Sequence, residues 1–223
     1  MVIREFTFQY ALGTLNSCVI ETMASNKRTS KKILEILSKD VNKTVRAIVA
    51  YNLNTPIEVL KILSKDRYQV VRCNVANNPR TPVGVLERLS KSKNYYIRDY
   101  IANNINTPIE ILKKLSKDEN ISIINSVASN PNTPLKILEK LSKSKYSLNR
   151  AYVAENPKAP TKILQRLSKD KDENVRYAVA ENVNAPENIL FNLIKDKYYY
   201  VGVKAAETLV SKRKDKCRTS KKK

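Results

Sequence analysis

Apolar and polar positions recur along this chain with a period far longer than a helical turn. Residues 55–80, TPIEVLKILSKDRYQVVRCNVANNPR, are followed at 81–106 by TPVGVLERLSKSKNYYIRDYIANNIN, of the same length and with the same landmarks. Thr-Pro or Ala-Pro pairs stand at 55, 81, 107, 133, 159 and 185, each 26 residues from the last, and Thr29-Ser30 is in register with them. Seven units therefore run from 29 to 210, and a fixed period of this kind marks an array of small supersecondary units. VIETMASN (19–26) aligns with VRAIVAYN (45–52), so 1–28 is expected to be a partial unit serving as an N-terminal cap.

Inside a unit the helical spacing is interrupted once. Val59, Leu60 and Leu63 share one face, and Val71 and Val75, four residues apart with Ala76 beside them, share another. Each unit reads as helix, short turn, helix. Thr followed by Pro predicts an N-cap and a first helical position. Glu58 and Glu110, three residues after their Thr, complete a capping box. SKD ends the first helix, and an Asn-rich turn stops the second. Ala recurs at 50, 76, 102, 128, 154, 180 and 206, where closely packed helices need a small side chain. Two short helices cannot bury their apolar faces alone, whereas stacked units can. The expected fold is all-α: an α-solenoid of seven helix-turn-helix units with a partial N-terminal unit.

The pattern T-P-x-x-x-L-x-x-L-S-K-D-x-x-x-x-V-R-x-x-V-A-x-N-P-x resembles the leucine-rich repeat variant family, a relative of HEAT-type helical arrays, over about residues 19–210. The strand signature of ordinary leucine-rich repeats, L-x-x-L-x-L-x-x-N, is not present. The resemblance implies alternating α and 3₁₀ helices in a right-handed superhelix without sheets. The family's founding type also carries a cysteine-rich iron–sulfur segment ahead of its repeats, which Cys18, Cys73 and Cys217 are too scattered to supply.

Composition narrows the function classes. The chain has 42% hydrophobic residues, enough to bury a core. Gly13, Gly84 and Gly202 stand alone, so no glycine-rich phosphate loop exists. Three cysteines without C-x-x-C spacing suggest neither a disulfide framework nor a zinc site, and fit a reducing interior. The start MVIREFTFQYALG lacks the uninterrupted apolar core of a signal peptide, and no stretch approaches the ~20 apolar residues of a membrane span. A cytoplasmic monomer with no membrane partner is expected. With no His anywhere, His-based triads and His metal sites are excluded, so neither enzyme nor cofactor is expected.

Charge is the most unusual property: 42 Lys and Arg against 21 Asp and Glu give +21. The run 211–223, read as a flexible basic tail, holds +7 and residues 1–28 hold +1, which leaves +13 on the repeats. Part of that excess has a structural explanation. Arg46, Arg72, Arg98, Arg150 and Arg176 each follow a core apolar or Asn position, and Asp40, Asp66, Asp118, Asp170 or Asp196 can stand six residues before the Arg place. An Arg–Asp and Arg–backbone ladder within each unit is expected, with a weak point where Ile124 replaces Arg. Asn26, Asn52, Asn78, Asn104, Asn130, Asn156 and Asn182 are read as turn and helix-end caps.

Lysine goes further. Lys39, Lys65, Lys91, Lys117, Lys143, Lys169 and Lys195 occupy one place in all seven units, at the end of the first helix. A cation there gains ~0.3–1 kcal/mol from the helix dipole, which is the structural explanation. More basic residues gather around the row than that requires. Arg88, Lys114, Lys140 and Arg166 lie three residues earlier, and Arg67, Lys93, Lys145, Lys171 and Lys197 two residues later. Tyr68, Tyr95, Tyr146 and Tyr198 cluster in the adjoining turns, either filling gaps between units or offering rings to a ligand. Cations interleaved with aromatics suit a nucleic-acid backbone or other polyanion, and the rival partner is an acidic protein.

Overall fold

The computed structural model describes the backbone of residues 3–220 and the side chains of residues 3–214, and every regular element among them is an α-helix. α1 (Ile3–Ala11) and α2 (Ser17–Ser25) lead into seven pairs: α3 (Lys31–Leu37) with α4 (Lys43–Tyr51), α5 (Ile57–Leu63) with α6 (Gln69–Asn77), α7 (Val83–Leu89) with α8 (Tyr95–Asn103), α9 (Ile109–Leu115) with α10 (Ile121–Ser129), α11 (Leu135–Leu141) with α12 (Ser147–Glu155), α13 (Thr161–Leu167) with α14 (Glu173–Glu181), and α15 (Glu187–Leu193) with α16 (Tyr199–Ser220). The all-α repeat architecture expected from the 26-residue period is present. The 3₁₀ helices implied by the resemblance are not: the first helix of each pair is a seven-residue α-helix. Tight i→i−3 bonding is confined to the turns, as where the N–H groups of Lys65 and Asp66 donate to the carbonyls of Ile62 and Leu63.

The chain forms two compact units, 1–111 and 112–223. In the first, α2, α4, α6 and α8 pack side by side in chain order, each first helix lies against its own second, and α1 packs on α3. Leu34, Val49, Ala50, Leu60, Val75, Ala76 and Leu86 are fully buried along this seam. In the second unit α10, α12, α14 and α16 form the same row, around Leu138, Val153, Ala154, Leu164, Val179, Ala180 and Leu190. The recurring Ala is buried in six units; in the last, Ala206 is half-buried and Ala205 takes the enclosed place.

Two polar seams differ from their sequence reading, and the Asn row adds bonds between repeats to the helix-end and turn caps expected of it. The Thr of Thr-Pro does not cap the helix that follows. Pro56, Pro82, Pro134, Pro160 and Pro186 occupy the N-cap places of their helices with no side-chain cap. Buried Thr55 instead donates its hydroxyl back to the Val49 carbonyl, as Thr81 does to Val75 and Thr133 to Val127, closing the end of the preceding helix. Glu58 forms no capping box and pairs with Lys61 at 2.7 Å.

The Arg–Asp ladder joins neighbouring repeats instead of closing within one. Arg46 forks onto Asp66 (Nε–Oδ2 2.6 Å, Nη2–Oδ1 3.2 Å), twenty residues on; Arg150 and Arg176 do the same with Asp170 and Asp196. The aspartate six residues earlier contributes its main chain: Arg46 Nη1 donates to the Asp40 carbonyl. An extended guanidinium on the flank of the second helix reaches both partners at once. Arg72 is therefore not the partner of Asp66; its Nη1 holds the carbonyls of Asp66 and Arg67, and the residue twenty places on is Ser92. At the first repeat Ile20 stands where an Arg would reach Asp40, and Tyr10 of α1 supplies a hydroxyl to it instead (2.5 Å). Burial, then that carboxylate, pushes the Tyr10 phenol well above its usual range.

The weak point expected at Ile124 is bridged. Ser144 donates to Asn149 Oδ1, and Asn149 donates to Asn125 Oδ1, a buried polar chain in which Asn149 occupies the core place held by Val45, Val71 or Val175 elsewhere. The Asn row is likewise a staple between repeats. Nδ2 of Asn78 donates to the carbonyls of Ala50 and Asn52 while Oδ1 accepts from the Arg80 N–H, and Asn156 and Asn182 repeat the arrangement in the second unit. Where a loose basic run is expected from 211, α16 continues to Ser220, since nothing in SKRKDKCRTS breaks a helix. Lys212 donates to the Ala185 carbonyl at 2.6 Å and Arg213 lies 3.7 Å from Glu187. Residues 221–223 and the side chains of 215–223 lie outside the described residues.

Candidate nucleic-acid interface

The Lys row sits two residues past the last residue of each first helix, just after the C-cap. In α5 the capping Ser64 has its hydroxyl on the Lys61 carbonyl, Lys65 follows in the turn, and Asp66 turns inward to accept the Tyr68 N–H. One residue faces water and the next is enclosed, so the turn presents Lys while it anchors Asp. Every basic residue assigned to the ridge is exposed. The first unit carries Lys39, Lys65, Arg67, Arg88, Lys91 and Lys93; the second carries Lys114, Lys117, Lys140, Lys143, Lys145, Arg166, Lys169, Lys171, Lys195 and Lys197. Two of them also have an architectural bond: Arg88 and Arg166 reach back to the hydroxyls of Ser64 and Ser142 in the preceding repeats. Lys143 has only a loose, exposed pairing with Glu139 at 3.7 Å.

The Arg–backbone half of the ladder, expected from the repeat pattern, fixes these turns. Nη1 of Arg72 binds the carbonyls of Asp66 and Arg67, Nη1 of Arg150 those of Ser144 and Lys145, and Nη1 of Arg176 those of Asp170 and Lys171. Each arginine thus clamps the backbone of a ridge residue. For Arg150 and Arg176 an aspartate of the next repeat completes the clamp. The hydrogen bond from Arg176 holds the Asp196 carboxyl below the usual carboxylate range against the cost of burial. At Asp66 and Asp170 burial is the largest influence and raises the pKa, but the combined bonds from Arg and main-chain N–H outweigh it and the net shift is downward.

The tyrosines divide into two kinds. Tyr68 is half-buried beneath Lys43, Arg46 and Arg67, whose cationic groups lie 5.1, 5.5 and 4.8 Å from its ring centre. Tyr198 is covered in the same way by Arg176 and Lys197, and Tyr146 carries Lys145 at 4.9 Å. These rings hold the ridge cations in place. Tyr95 instead lies against Tyr96, with ring centres 4.0 Å apart and planes tilted by 32°, and both are exposed.

In the second unit the ridge includes a cleft of 460 Å³. Lys169, Lys171, Lys195 and Lys197 line it, and its wall includes the Arg176–Asp196 pair and Asp170. Both carboxylates belong to the ladder, Asp196 to Arg176 and Asp170 to Arg150, and Lys197 lies over the Tyr198 ring.

Among solved structures the chain is similar to a leucine-rich repeat variant with a repetitive structural motif: 28% of residues are identical, over 82% of this chain and 73% of that one, with a TM-score of 0.52. It also matches the structure of the Escherichia coli protein YibA at 16% identity, over 94% of this chain and 97% of that one, with a TM-score of 0.48. No protein-family model and no curated protein matches it. The 26-residue period, the paired α-helices and this likeness agree: the chain is a helical repeat protein whose architecture is similar to that of a leucine-rich repeat variant.

Proposed function

We propose that the chain is a non-enzymatic binding scaffold whose Lys ridge takes a polyanion, the sugar-phosphate backbone of DNA or RNA. The observation that carries this reading is the cleft where four exposed lysines from consecutive repeats converge over carboxylates already committed to arginine. Lysines lining one cleft raise the local positive potential, and a chain of phosphates is attracted to it while releasing its own counterions. The recognition is of backbone and charge, since lysine contacts to phosphate carry no sequence information. Tyr95 and Tyr96 are exposed rings on which an unpaired base could stack.

The test is binding of random-sequence duplex and single-stranded DNA by a variant in which Lys169, Lys171, Lys195 and Lys197 are changed to Ala. A loss of about tenfold to a hundredfold at low salt, with unchanged thermal unfolding, is the expected outcome. Unchanged affinity would remove the cleft from the interface. A protein partner is the second reading. It rests on Ile57, Val83 and Ile109, exposed apolar residues that begin successive first helices away from the ridge.

A further inference from the structure

The incomplete first repeat leaves a cavity of 760 Å³, within the roughly 300–1,000 Å³ of small-molecule sites. In complete repeats the preceding helices cover the corresponding wall: Val45 and Val49 are 2% and 0% exposed. Val19 and Met23, aligned with them, are only half-buried, and together with Ile33 they give the cavity an apolar floor. Its rim is cationic. Arg4 and Arg28 both line it, and neither guanidinium has a hydrogen-bond or ion-pair partner among the described residues. Asn26 adds a third donor. Its counterparts Asn52 and Asn78 each give Nδ2 to two carbonyl oxygens of the preceding repeat. Asn26 lines the cavity, and no described residue accepts from its Nδ2. No acidic side chain lines the site.

We propose that this cavity binds an anionic amphiphile, its carboxylate received by Arg4, Arg28 and Asn26 and its alkyl chain lying over Val19, Met23 and Ile33. The carboxylate oxygens stand in for the two carbonyls that the Asn of a complete repeat would bind, and planar guanidinium groups suit that fork. The alkyl chain covers the apolar wall that a preceding repeat would have covered. The site is distinct from the ridge and does not depend on it.

The experiment is titration of the full chain with decanoate, followed by calorimetry and by the methyl NMR signal of Met23. One saturable equivalent that shifts the Met23 signal is expected. Affinity should fall by about tenfold or more in the Arg4→Ala, Arg28→Ala double variant, and similarly when decanol replaces decanoate. Butyrate should bind far more weakly, having too little apolar surface. Both arginines are exposed and unpartnered, so the variant keeps its fold. A Lys169→Ala, Lys195→Ala variant should bind decanoate as the wild type does, which lets this site and the ridge fail separately. Non-saturating binding, an unmoved Met23 signal, or equal affinity in the double arginine variant would overturn the proposal. So would a Met23 shift that appears with protein concentration alone and tracks a rise in sedimenting mass, since a second copy would then fill the cavity.

Discussion

An arginine that grips the turn of its own repeat and the aspartate of the next makes one side chain responsible for two joints, and the cost of its removal depends on which joints it holds. Arg150→Ala leaves Asp170 enclosed without its partner, and the expected loss is about 3 kcal/mol. Arg72→Ala frees two carbonyls but strands no carboxylate, so about 1–2 kcal/mol is expected. Lys65→Ala, wholly on the surface, should stay within about 0.5 kcal/mol. Urea unfolding of the three variants checks the order, and equal losses from Arg150 and Arg72 would refute the inter-repeat pairing. The same carboxylates govern the response to acid. Asp66, Asp170 and Asp196 titrate lower when folded than when unfolded. Their contribution is therefore complete above the unfolded value near 4 and lost as pH falls through the lower folded values. Stability should be level from about pH 5 to 8 and drop below about pH 4. A variant with all three changed to Asn should be less stable at neutral pH and show a shallower acid limb.

At the scale of elements, the helices were legible in the sequence and the bonds between repeats were not. Periodicity reports which faces are apolar, so Leu60, Leu63, Val71 and Ala76 fell where expected. It does not report which of two repeats a long polar side chain reaches. A signal was there: an Asp stands twenty residues after four of the five ladder arginines, but six residues before only three, and Ile124 and Ser144 lose both halves together. Thr-Pro misled because the same dipeptide serves a helix start or the closure of the helix before it, and only the buried path of the chain chooses. The glycines make a paired test. A Cβ on Gly202 would lie 2.7 Å from the Ile194 carbonyl oxygen, so Gly202→Ala must push α16 off the end of α15, at about 1–3 kcal/mol. A Cβ on Gly84 meets nothing within 4 Å, and Gly84→Ala should stabilise α7 by up to about 0.5–1 kcal/mol. Thermal unfolding of both variants gives the signs.

For the molecule as a whole, the question is whether its charge is concentrated to bind or merely spread to keep it soluble. Composition made the excess visible, and the repeat pattern placed it on one row. The clamp of Arg and Asp that holds the row, and the convergence of Lys169, Lys171, Lys195 and Lys197, came from packing between repeats. Because Lys212 and Arg213 are tied to the start of α15, a truncation that isolates the ridge should end at Lys214 and leave them in place. The deciding measurement is the affinity of residues 1–214 for random-sequence duplex DNA, by fluorescence anisotropy, as a function of salt. If the ridge neutralises about six phosphates, log K should fall with log salt at a slope of roughly −5, and each Lys→Ala change along the row should reduce that slope by about one. If residues 1–214 bind no better at low salt than a charge-neutral helical repeat protein, or if the slope ignores the row's lysines, the ridge is a solvated face and the account is wrong.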